Sequence, residues 1–422
     1  MSTAPITPNS TEAITTNTPS PTDTLPANKQ WIQQATPEYY RAGIALFLLG
    51  FASFSLIYCV QPLLPEFTHS FHVSPATSSL ALSLTTGCLA FSIVLASAFS
   101  QAVGRKGLMF ASMLLASLLN IAAALVTHWH TFLLLRALEG FILGGVPAVA
   151  MAWLAEEIDP LHLGKAMGLY IAGTAFGAMM GRVFMGLVTE FSSWQVALGS
   201  LSVICFIFAF GFLWLLPASR HFVKKSGFNL SFHVDMWKTH LQNTSLLRLY
   251  VIGFLLTSIF VTLFNYSTFY LSSAPYNLSQ SVISLIFLVY AFGVVSSSIA
   301  GGLSDRLGKR PLMVSGFIFM LLGILLTQFN SIWIILFGVI LVTTGFFITH
   351  SVTSSAIGPT AKIAKGHASS LYLLFYYLGS SMMGSFGGWF WLHGGWNAII
   401  MLTGFLAILG AVFSLFSTRS SS

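Results

Sequence analysis

Three charged side chains and one histidine lie inside long apolar runs of this sequence: Arg136, Glu139, Arg182 and His350. A charge at the centre of a membrane helix costs about 2.5–3.5 kcal/mol on insertion scales, so such residues usually face a cavity or a partner. Arg136 and Glu139 are three residues apart and share one helical face. Glu139 is the one carboxylate of this group, which makes it the candidate for binding and releasing a proton.

Glu139 and His350 indicate proton chemistry, and each has a structural alternative. A carboxylate beside an arginine gains or loses its proton when the arginine moves, so a conformational change could switch Glu139. The alternative is a static ion pair that holds the helices of Glu139 and Arg182 together. His350 could shuttle protons or bind a substrate, because imidazole titrates near neutral pH. A neutral, hydrogen-bonded packing residue explains it equally well.

These residues require membrane helices, because the chain is too apolar for a water-soluble domain. Of the 422 residues, 55% are hydrophobic and 7% are charged, whereas a soluble domain has roughly a quarter charged residues. About twelve apolar runs reach the roughly 20 residues that cross a bilayer core. They lie near 42–64, 75–98, 107–126, 131–154, 163–188, 194–217, 247–271, 279–304, 311–328, 331–355, 366–389 and 395–417. The runs lack the alternation of β-barrel strands, so we predict an all-α membrane protein with twelve transmembrane helices.

Further polar and aromatic side chains inside the predicted spans could contact a substrate. Pairs of such residues lie in spans 1, 7 and 11: Tyr58 and Gln61, Asn265 and Tyr266, and Tyr376 and Tyr377. They offer hydrogen-bonding groups and aromatic faces. Helix packing explains each of them equally well when it is taken alone.

The positive charges predict the orientation of the chain. Of the 18 Lys and Arg residues, Arg136 and Arg182 lie inside spans, and none lies in a loop after an odd-numbered span. The positive-inside rule therefore predicts that both termini and loop 218–246 are cytoplasmic. A nucleic-acid surface would gather basic and aromatic residues in one soluble segment, so no nucleic-acid partner is expected.

No cofactor or metal is expected. Cys59, Cys88 and Cys205 fall within spans and lack the spacing of a disulfide or zinc site. No nucleotide-binding loop of the type Gly-x-x-x-x-Gly-Lys-(Ser/Thr) is present. The expected partners are a small-molecule substrate, protons and the lipid bilayer, and the chain is expected to be a monomer.

Motifs that recur about two hundred residues apart predict two six-helix, pseudo-symmetric halves. The sequence at 165–170 resembles that at 367–372, and Trp194 corresponds to Trp396. Parallel halves place a substrate path at their interface. The predicted organisation is a disordered tail, a first half, a linker, a second half and a short tail: 1–40, 41–217, 218–246, 247–417 and 418–422.

Two basic turns follow spans 2 and 8. Residues 301–310 read Gly-Gly-Leu-Ser-Asp-Arg-Leu-Gly-Lys-Arg, and the first turn is a degraded copy. Asp305 can accept hydrogen bonds from a helix N-terminus or pair with a neighbouring arginine, so the cluster could latch a gate. Gly301 is expected to permit a close helix contact and Gly308 a tight turn. The alternative is that the basic residues merely anchor the topology. The predicted gating residues are Gln101, Gly104, Arg105, Lys106, Gly301, Asp305, Arg306, Gly308, Lys309 and Arg310.

The segment 301–310 resembles the signature loop of the major facilitator superfamily, Gly-x-Leu-(Ala/Ser)-Asp-Arg-x-Gly-Arg-Lys. Segments 136–140 and 173–182 are similar to two further motifs of that superfamily, the second being its antiporter motif in span 5. Segments 58–65 and 156–158 resemble its YnfM-type branch, bacterial inner-membrane transporters related to arabinose exporters. The resemblance implies the major facilitator fold, transport by alternating access and a location in the bacterial inner membrane.

The sequence departs from the family pattern at a few positions. Gln101 stands where the first loop usually has Asp, and Arg182 replaces the last Gly of the antiporter motif. We predict a secondary transporter, most simply a proton-coupled exporter of drug-like or sugar-like solutes, with the direction taken from the resemblance. The alternatives are an uncoupled facilitator, a transporter-like sensor and a membrane enzyme. An enzyme would need paired carboxylates, a Ser/His set or a metal cluster in the spans.

Overall fold

The structure is a computed structural model, which describes residues 31–222 and 230–417 except the side chains of 97–103, 230 and 305. The predicted tails at 1–30 and 418–422, and the side chains of Gln101 and Asp305, therefore lie outside the described residues. Within the described part, helices account for the architecture, and the β-type pairing is one isolated bridge between Ile32 and Ile158.

Twelve helical segments cross the bundle among the described residues. The first half contains spans 1 to 6: Pro37–Ser70, Leu80–Val103, Arg105–Leu125, Trp129–Glu157, Leu163–Phe191 and Trp194–Leu215. The second half begins with spans 7 to 10: Thr244–Ser272, Gln280–Ser304, Lys309–Leu326 and Ile332–Ala361. A linker helix, Leu230–Gln242, joins the halves.

Spans 11 and 12 form one continuous helical segment, Lys365–Leu415, which is divided at Gly395. Its 51 residues would measure about 75 Å if straight, more than twice a hydrocarbon core of about 30 Å. Gly395 has φ 56° and ψ −145°, a backbone conformation that glycine adopts without steric cost. The chain therefore reverses there, and the predicted twelve-helix, all-α fold class is confirmed.

One boundary of the predicted organisation, that between the N-terminal tail and the first half, is corrected. Residues 31–40 do not belong to a disordered tail, because the Ile32 amide donates to the Glu157 carbonyl at 2.8 Å and the Gln33 side chain donates to Asp159 at 2.8 Å. Thr36 caps the helix that begins at Pro37. These polar contacts, together with the burial of Ile32, order the segment against the first half.

The two halves repeat the same helix contact. A Cβ atom placed at Gly177 of span 5 would collide with the carbonyl oxygen of Phe51 in span 1, and one at Gly379 of span 11 with that of Phe254 in span 7. Ser55 donates to the Gly177 carbonyl at 2.9 Å, and a serine of span 7 repeats this bond to Gly379 at 3.4 Å. Glycine at these positions lets the helix backbones touch.

We call the side of the bundle where span 1 begins and span 12 ends the terminal face, and the other side the opposite face. The two halves meet at the opposite face. Hydrogen bonds between the halves at and below the opposite face join Gln280 to the Pro62 carbonyl, the Ser281 amide to Glu190, and Ser381 to the Ser83 carbonyl. In the described part of the chain, these contacts close the bundle between spans 2 and 11 and between spans 5 and 8.

Candidate functional site

Span 1 is interrupted near the opposite face, and the interruption positions the site. Its first helix ends at Tyr58, a 3-10 turn follows at Gln61–Leu63, and a short helix completes the span at Leu64–Ser70. The last carbonyl groups of the first helix have no partner within that helix. Two buried arginines from other spans approach this break from different sides.

Arg136 of span 4 satisfies those carbonyl groups. Its guanidinium donates to the carbonyls of Leu56 at 3.2 Å and Ile57 at 2.9 Å, and to that of Ala81 in span 2 at 3.2 Å. It also forms an ion pair with Glu139 at 2.5 Å, and neither side chain is exposed. The cation therefore stabilises the negative end of the first helix, as expected from the helix dipole.

Glu139 lies wholly within the first half. Its Oε2 accepts from Arg136, whereas its Oε1 is buried without a hydrogen-bond partner among the described residues. Around the pair lie Asn120, which accepts from Arg136 at 3.3 Å, and the Cys59 thiol, 3.9 Å from the guanidinium. Because Oε1 accepts no hydrogen bond from a described residue, it is free to carry a proton. A protonated carboxyl group is also a hydrogen-bond donor.

Arg182 of span 5 occupies the opposite side of the break and faces the second half. It is 2% exposed, and its Nε donates to Gln61 Oε1 at 2.7 Å while Nη1 donates to the Ala178 carbonyl. Aromatic rings surround the guanidinium carbon, with centroids at 4.4 Å for Tyr58, 5.0 Å for Phe287 and 5.0 Å for Tyr290. The static ion pair considered between the helices of Glu139 and Arg182 is wrong, because Glu139 is bound within its own span.

A polar chain crosses from the first half to the second at this level. Gln61 accepts from Arg182 and donates through Nε2 to Asn265 Oδ1 of span 7 at 2.8 Å. Asn265 Nδ2 remains buried without a partner among the described residues, as does Ser83 Oγ. A Cβ placed on Gly384 would lie 3.2 Å from the first atom and 3.3 Å from the second, so the two unpaired groups converge on span 11.

Glycines place Arg182 against span 1. Gly173, Gly177 and Gly181 are spaced four residues apart, and a Cβ at each would contact the backbone of Phe47, Phe51 or Ser55. The glycines that resemble the antiporter motif thus form the contact between spans 1 and 5. Arg182 follows directly after this row, and so it reaches Gln61 and Tyr58.

The second half contributes an aromatic wall, which we define as Phe260, Tyr290, Phe346, His350 and Tyr376. Tyr290, which also contacts Arg182, lies 5.5 Å from Phe260, and Phe260 stacks on Phe346 at 3.9 Å. Phe346 stacks on His350 at 5.9 Å, and His350 lies 4.8 Å from Tyr376. The ring centroids therefore form a continuous row from the Arg182 site to His350.

Of the remaining predicted binding residues, His350 and Tyr377 lie at this wall and Tyr266 lies away from it. His350 Nδ1 is 3.0 Å from the Tyr372 hydroxyl. Tyr377 is buried beside Tyr376, with centroids 5.1 Å apart. Tyr266 donates to the Gly384 carbonyl at 2.9 Å, a contact between spans 7 and 11. Of the six predicted substrate residues, Tyr58, Gln61 and Asn265 are brought together with Arg182.

The two basic turns share a conformation but differ in their contacts. Gly104 has φ 99° and Gly308 has φ 81°, so both turns use the positive φ that favours glycine, as expected for Gly308. A Cβ at Gly301 would meet nothing within 4 Å, and the expected close helix contact there is wrong. The helix before the turn leaves that position open.

The described ion pair at the turns lies in the first half. Arg105 pairs with Glu156 at the end of span 4, and Lys106 donates to the Leu216 carbonyl at 2.5 Å. In the second half, Lys309 donates to the Ser355 carbonyl at 3.2 Å, Arg306 is exposed and Arg310 is half-buried. Among the described side chains, which do not include that of Asp305, the charged contact lies in the copy whose sequence is the more degraded.

Sequence reasoning missed several residues of this site. Asn120 is an isolated amide in an apolar run, a signal that could have placed it beside Arg136. Glu156 was visible as part of a motif but not as the partner of Arg105. Phe287 and Tyr290 carried no signal, because aromatic residues make up 14% of the chain and their positions around Arg182 depend on the packing of the halves.

The family is decided by comparison with known proteins. The model of the Major Facilitator Superfamily matches residues 46–279 and 273–422. The chain belongs to this superfamily. The inner membrane transport protein YnfM of Escherichia coli (strain K12) is 43% identical over 390 residues, which cover 92% of this chain and 93% of that protein. The MFS-type transporter YybF of Bacillus subtilis (strain 168) is 41% identical over 396 residues, covering 92% and 96%.

Solved structures support the fold. A bacterial homologue of the human lysosomal transporter Spinster, in an inward-facing and unoccupied conformation, has a TM-score of 0.74 at 12% identity and covers 91% of this chain and 97% of that one. A point mutant of the nucleoside transporter NupG has a TM-score of 0.74 at 12% identity, covering 90% and 100%. The predicted family and fold are confirmed: this is a membrane-spanning transporter of the superfamily, which binds small-molecule substrates within the membrane.

Proposed function

We propose that the chain exports small organic solutes from the bacterial cytoplasm in exchange for protons, with both termini cytoplasmic. The observation that carries the proposal is the half-bonded Glu139, whose Oε1 lacks a donor among the described residues while Oε2 binds Arg136. Its neighbours are Arg136, the Cys59 thiol and the Asn120 amide. The export direction is taken from the resemblance to the YnfM-type branch.

The break in span 1 links the proton site to the substrate site. Protonation of Glu139 removes the negative charge beside Arg136 and leaves the guanidinium held by the carbonyls of Leu56 and Ile57. Tyr58 and Gln61 follow directly after these carbonyls and contact Arg182. A shift of the break would therefore change the contacts of Arg182 and the chain from Gln61 to Asn265 that joins the halves. His350 would add a second polar group to the substrate site in the second half.

The basic turns serve as gates at the terminal face in this proposal. The ion pair of Arg105 with Glu156 and the bonds of Lys106 and Lys309 to carbonyl groups tie each turn to a neighbouring span. We propose that rocking of the halves rearranges these contacts. Gln101, Asp305, Arg306 and Arg310 would join them when the terminal face closes.

The test uses inverted membrane vesicles that have been energised to hold a pH gradient. A panel of membrane-impermeant solutes is added, and substrates are expected to collapse the gradient in the wild type but not in Glu139→Gln. The matched control is Glu66→Gln, which alters a half-buried carboxylate that accepts from Ser70 at the opposite face and should retain proton exchange. Collapse of the gradient by Glu139→Gln at the wild-type rate would contradict the proposal.

An uncoupled facilitator is the second candidate. The observation in its favour is that the pair of Arg136 and Glu139 is fully buried within one half, as a static structural pair would be. A facilitator would equilibrate a solute across proteoliposomes without any pH response and would tolerate Glu139→Gln. Solute uptake measured together with internal pH separates the two mechanisms.

A further inference from the structure

Arg182 is a buried cation without a counter-ion among the described residues. The ion pairs in the described part of the chain involve Arg105, Arg136, Arg220 and His221, and Arg182 is not among them. Its bonds go to two neutral oxygens, those of Gln61 and Ala178. A guanidinium removed from water and left without a carboxylate is costly, and a bound anion would remove that cost.

The described surroundings of Arg182 hold further donors but offer no carboxylate. The guanidinium Nη2 has no hydrogen bond to a described residue, since the bonds of this side chain are made by Nε and Nη1. Asn265 Nδ2, linked to Arg182 through Gln61, is a buried donor without a partner among the described residues. The Asn265 donor lies against span 11, whereas the unbonded Nη2 belongs to the cation itself and is complementary to the oxygens of an anion.

An apolar groove begins beside this cation. The groove measures about 330 Å³ between spans 5 and 8, and Tyr290 contributes to its lining. The same Tyr290 ring lies 5.0 Å from the Arg182 guanidinium. The other lining residues are apolar: Phe47, Ala172, Ala175, Phe176, Met179, Ala291 and Val294. A volume near 300 Å³ is at the lower end for small-molecule sites, so the groove suits a compact apolar group.

We propose that the transported solute is an organic carboxylate. Its carboxylate pairs with Arg182 at the interface of the halves, and its compact apolar or aromatic body lies along Tyr290 in the groove. A planar carboxylate matches the two parallel N–H groups that a guanidinium presents. This inference rests on the proposed transport function and names the substrate class of the same site.

The experiment measures binding to the purified full-length protein in detergent. The probes are three matched sets that share one body and differ in charge: 4-hydroxybenzoate, 4-hydroxybenzamide and 4-hydroxybenzylamine; phenylacetate, phenylacetamide and phenethylamine; and indole-3-acetate, indole-3-acetamide and tryptamine. In at least one set the carboxylate is expected to bind at least about tenfold more tightly than its amide, a factor that one good charge-assisted contact supplies. Amides or amines that bind as tightly as the carboxylates in every set would overturn the inference, as would an absence of binding by all carboxylates.

Variants assign the preference to the residue. Arg182→Gln should lower carboxylate affinity to the level of the amide, and Arg182→Lys should retain part of the preference, because it keeps the charge but loses the fork. Arg248→Gln is the matched control, since Arg248 is a half-buried arginine near the start of span 7 that is bonded to the Phe416 carbonyl, and it should leave binding unchanged. An unchanged carboxylate preference in Arg182→Gln overturns the assignment. If that variant fails to fold, the matched sets on the wild type still decide the substrate class.

Failure of this inference differs from failure of proton coupling. If the protein prefers carboxylates but its transport does not depend on pH and tolerates Glu139→Gln, the substrate class stands and the proton coupling is wrong. If neutral or cationic solutes collapse the gradient in a Glu139-dependent way and carboxylates are not preferred, the proton coupling stands and the proposed substrate class is wrong.

Discussion

Arg136 and Arg182 are both enclosed arginines that approach the same break in span 1, yet their surroundings differ in kind. Arg136 has a carboxylate and backbone carbonyls within one half. Arg182 has aromatic faces, one glutamine and one backbone carbonyl at the interface of the two halves, and no carboxylate among the described residues. The first is satisfied by the protein itself, whereas the second is left for a ligand.

This difference separates a buried cation that has a counter-ion in the protein from one that has none among the described residues. A buried ion pair is costly to break because removal of one partner leaves the other uncompensated. A buried cation without a counter-ion already bears that cost, so its removal should affect stability less and ligand binding more. Loss of Arg136 should therefore mainly lower stability, whereas loss of Arg182 should mainly weaken ligand binding, and variants at both positions test this difference.

The largest effect on stability is expected from Arg136→Met. The change leaves Glu139 buried without a cation and removes the guanidinium donors from the Leu56 and Ile57 carbonyls. Removing one partner of a buried pair typically costs about 3–5 kcal/mol. Thermal unfolding of the purified protein measures the loss. The double variant Arg136→Met/Glu139→Leu should recover part of it, and an unchanged Tm in the single variant would show that the pair is not structural.

Gln61→Leu is expected to have an intermediate effect. The change leaves the Arg182 Nε donor and the Asn265 Oδ1 acceptor without their partner, and a buried polar group without a partner costs about 1–3 kcal/mol. A thermal double-mutant cycle with Arg182→Met should show non-additivity, because the two side chains share a hydrogen bond. Strictly additive effects would mean that the polar chain between the halves does not act as one unit.

Arg182→Met should destabilise the protein less than Arg136→Met. The substitution leaves Gln61 Oε1 without a donor, at about 1–3 kcal/mol, but it also removes a buried charge that has no counter-ion among the described residues. The net loss is expected to be at most about 2 kcal/mol. Thermal unfolding of both variants under one condition makes the comparison, and a greater loss for Arg182→Met would reverse the roles assigned to the two arginines.

The smallest effect is expected from a carboxylate between spans 4 and 5. The Leu161 amide and the Gln33 side chain hydrogen-bond to Asp159 and lower its pKa below the ordinary value. The contribution of Asp159 to stability is therefore full above about pH 4 and is lost as the pH falls through the lowered pKa. Asp159→Asn should cost about 1 kcal/mol at pH 7 and have no effect below the lowered pKa. Unfolding measured across pH 2–7 tests this, and a cost that does not vary with pH would contradict it.

Membrane spans, duplication and the pairing of Arg136 with Glu139 could be predicted from the sequence because they depend on local information. Apolar run length defines a span, and a separation of three residues places two charges on one helical face. The surroundings of Arg182 could not be predicted in this way. They depend on Phe287 and Tyr290, which lie about a hundred residues along the chain, and on the packing of span 8 against span 5.

The basic turns also show that a sequence motif does not specify contacts with distant residues. The turn at 301–310 matches the family pattern more closely, yet the described ion pair joins Arg105 to Glu156 in the degraded copy. A motif specifies the conformation of its own turn, as Gly104 and Gly308 show. The partner of a charged residue in the turn lies on another span, as Glu156 at the end of span 4 does for Arg105. The motif does not specify that partner.

Proton release during carboxylate binding tests most directly whether Glu139 and Arg182 divide the work of coupling. The purified protein is titrated with 4-hydroxybenzoate or another carboxylate that binds, in weakly buffered solution near neutral pH, and the pH change is recorded. The wild type is expected to release up to one proton per bound carboxylate, and Glu139→Gln is expected to bind the carboxylate without releasing a proton. Equal proton release by both proteins, or none by the wild type at any pH from 5 to 9, would contradict it.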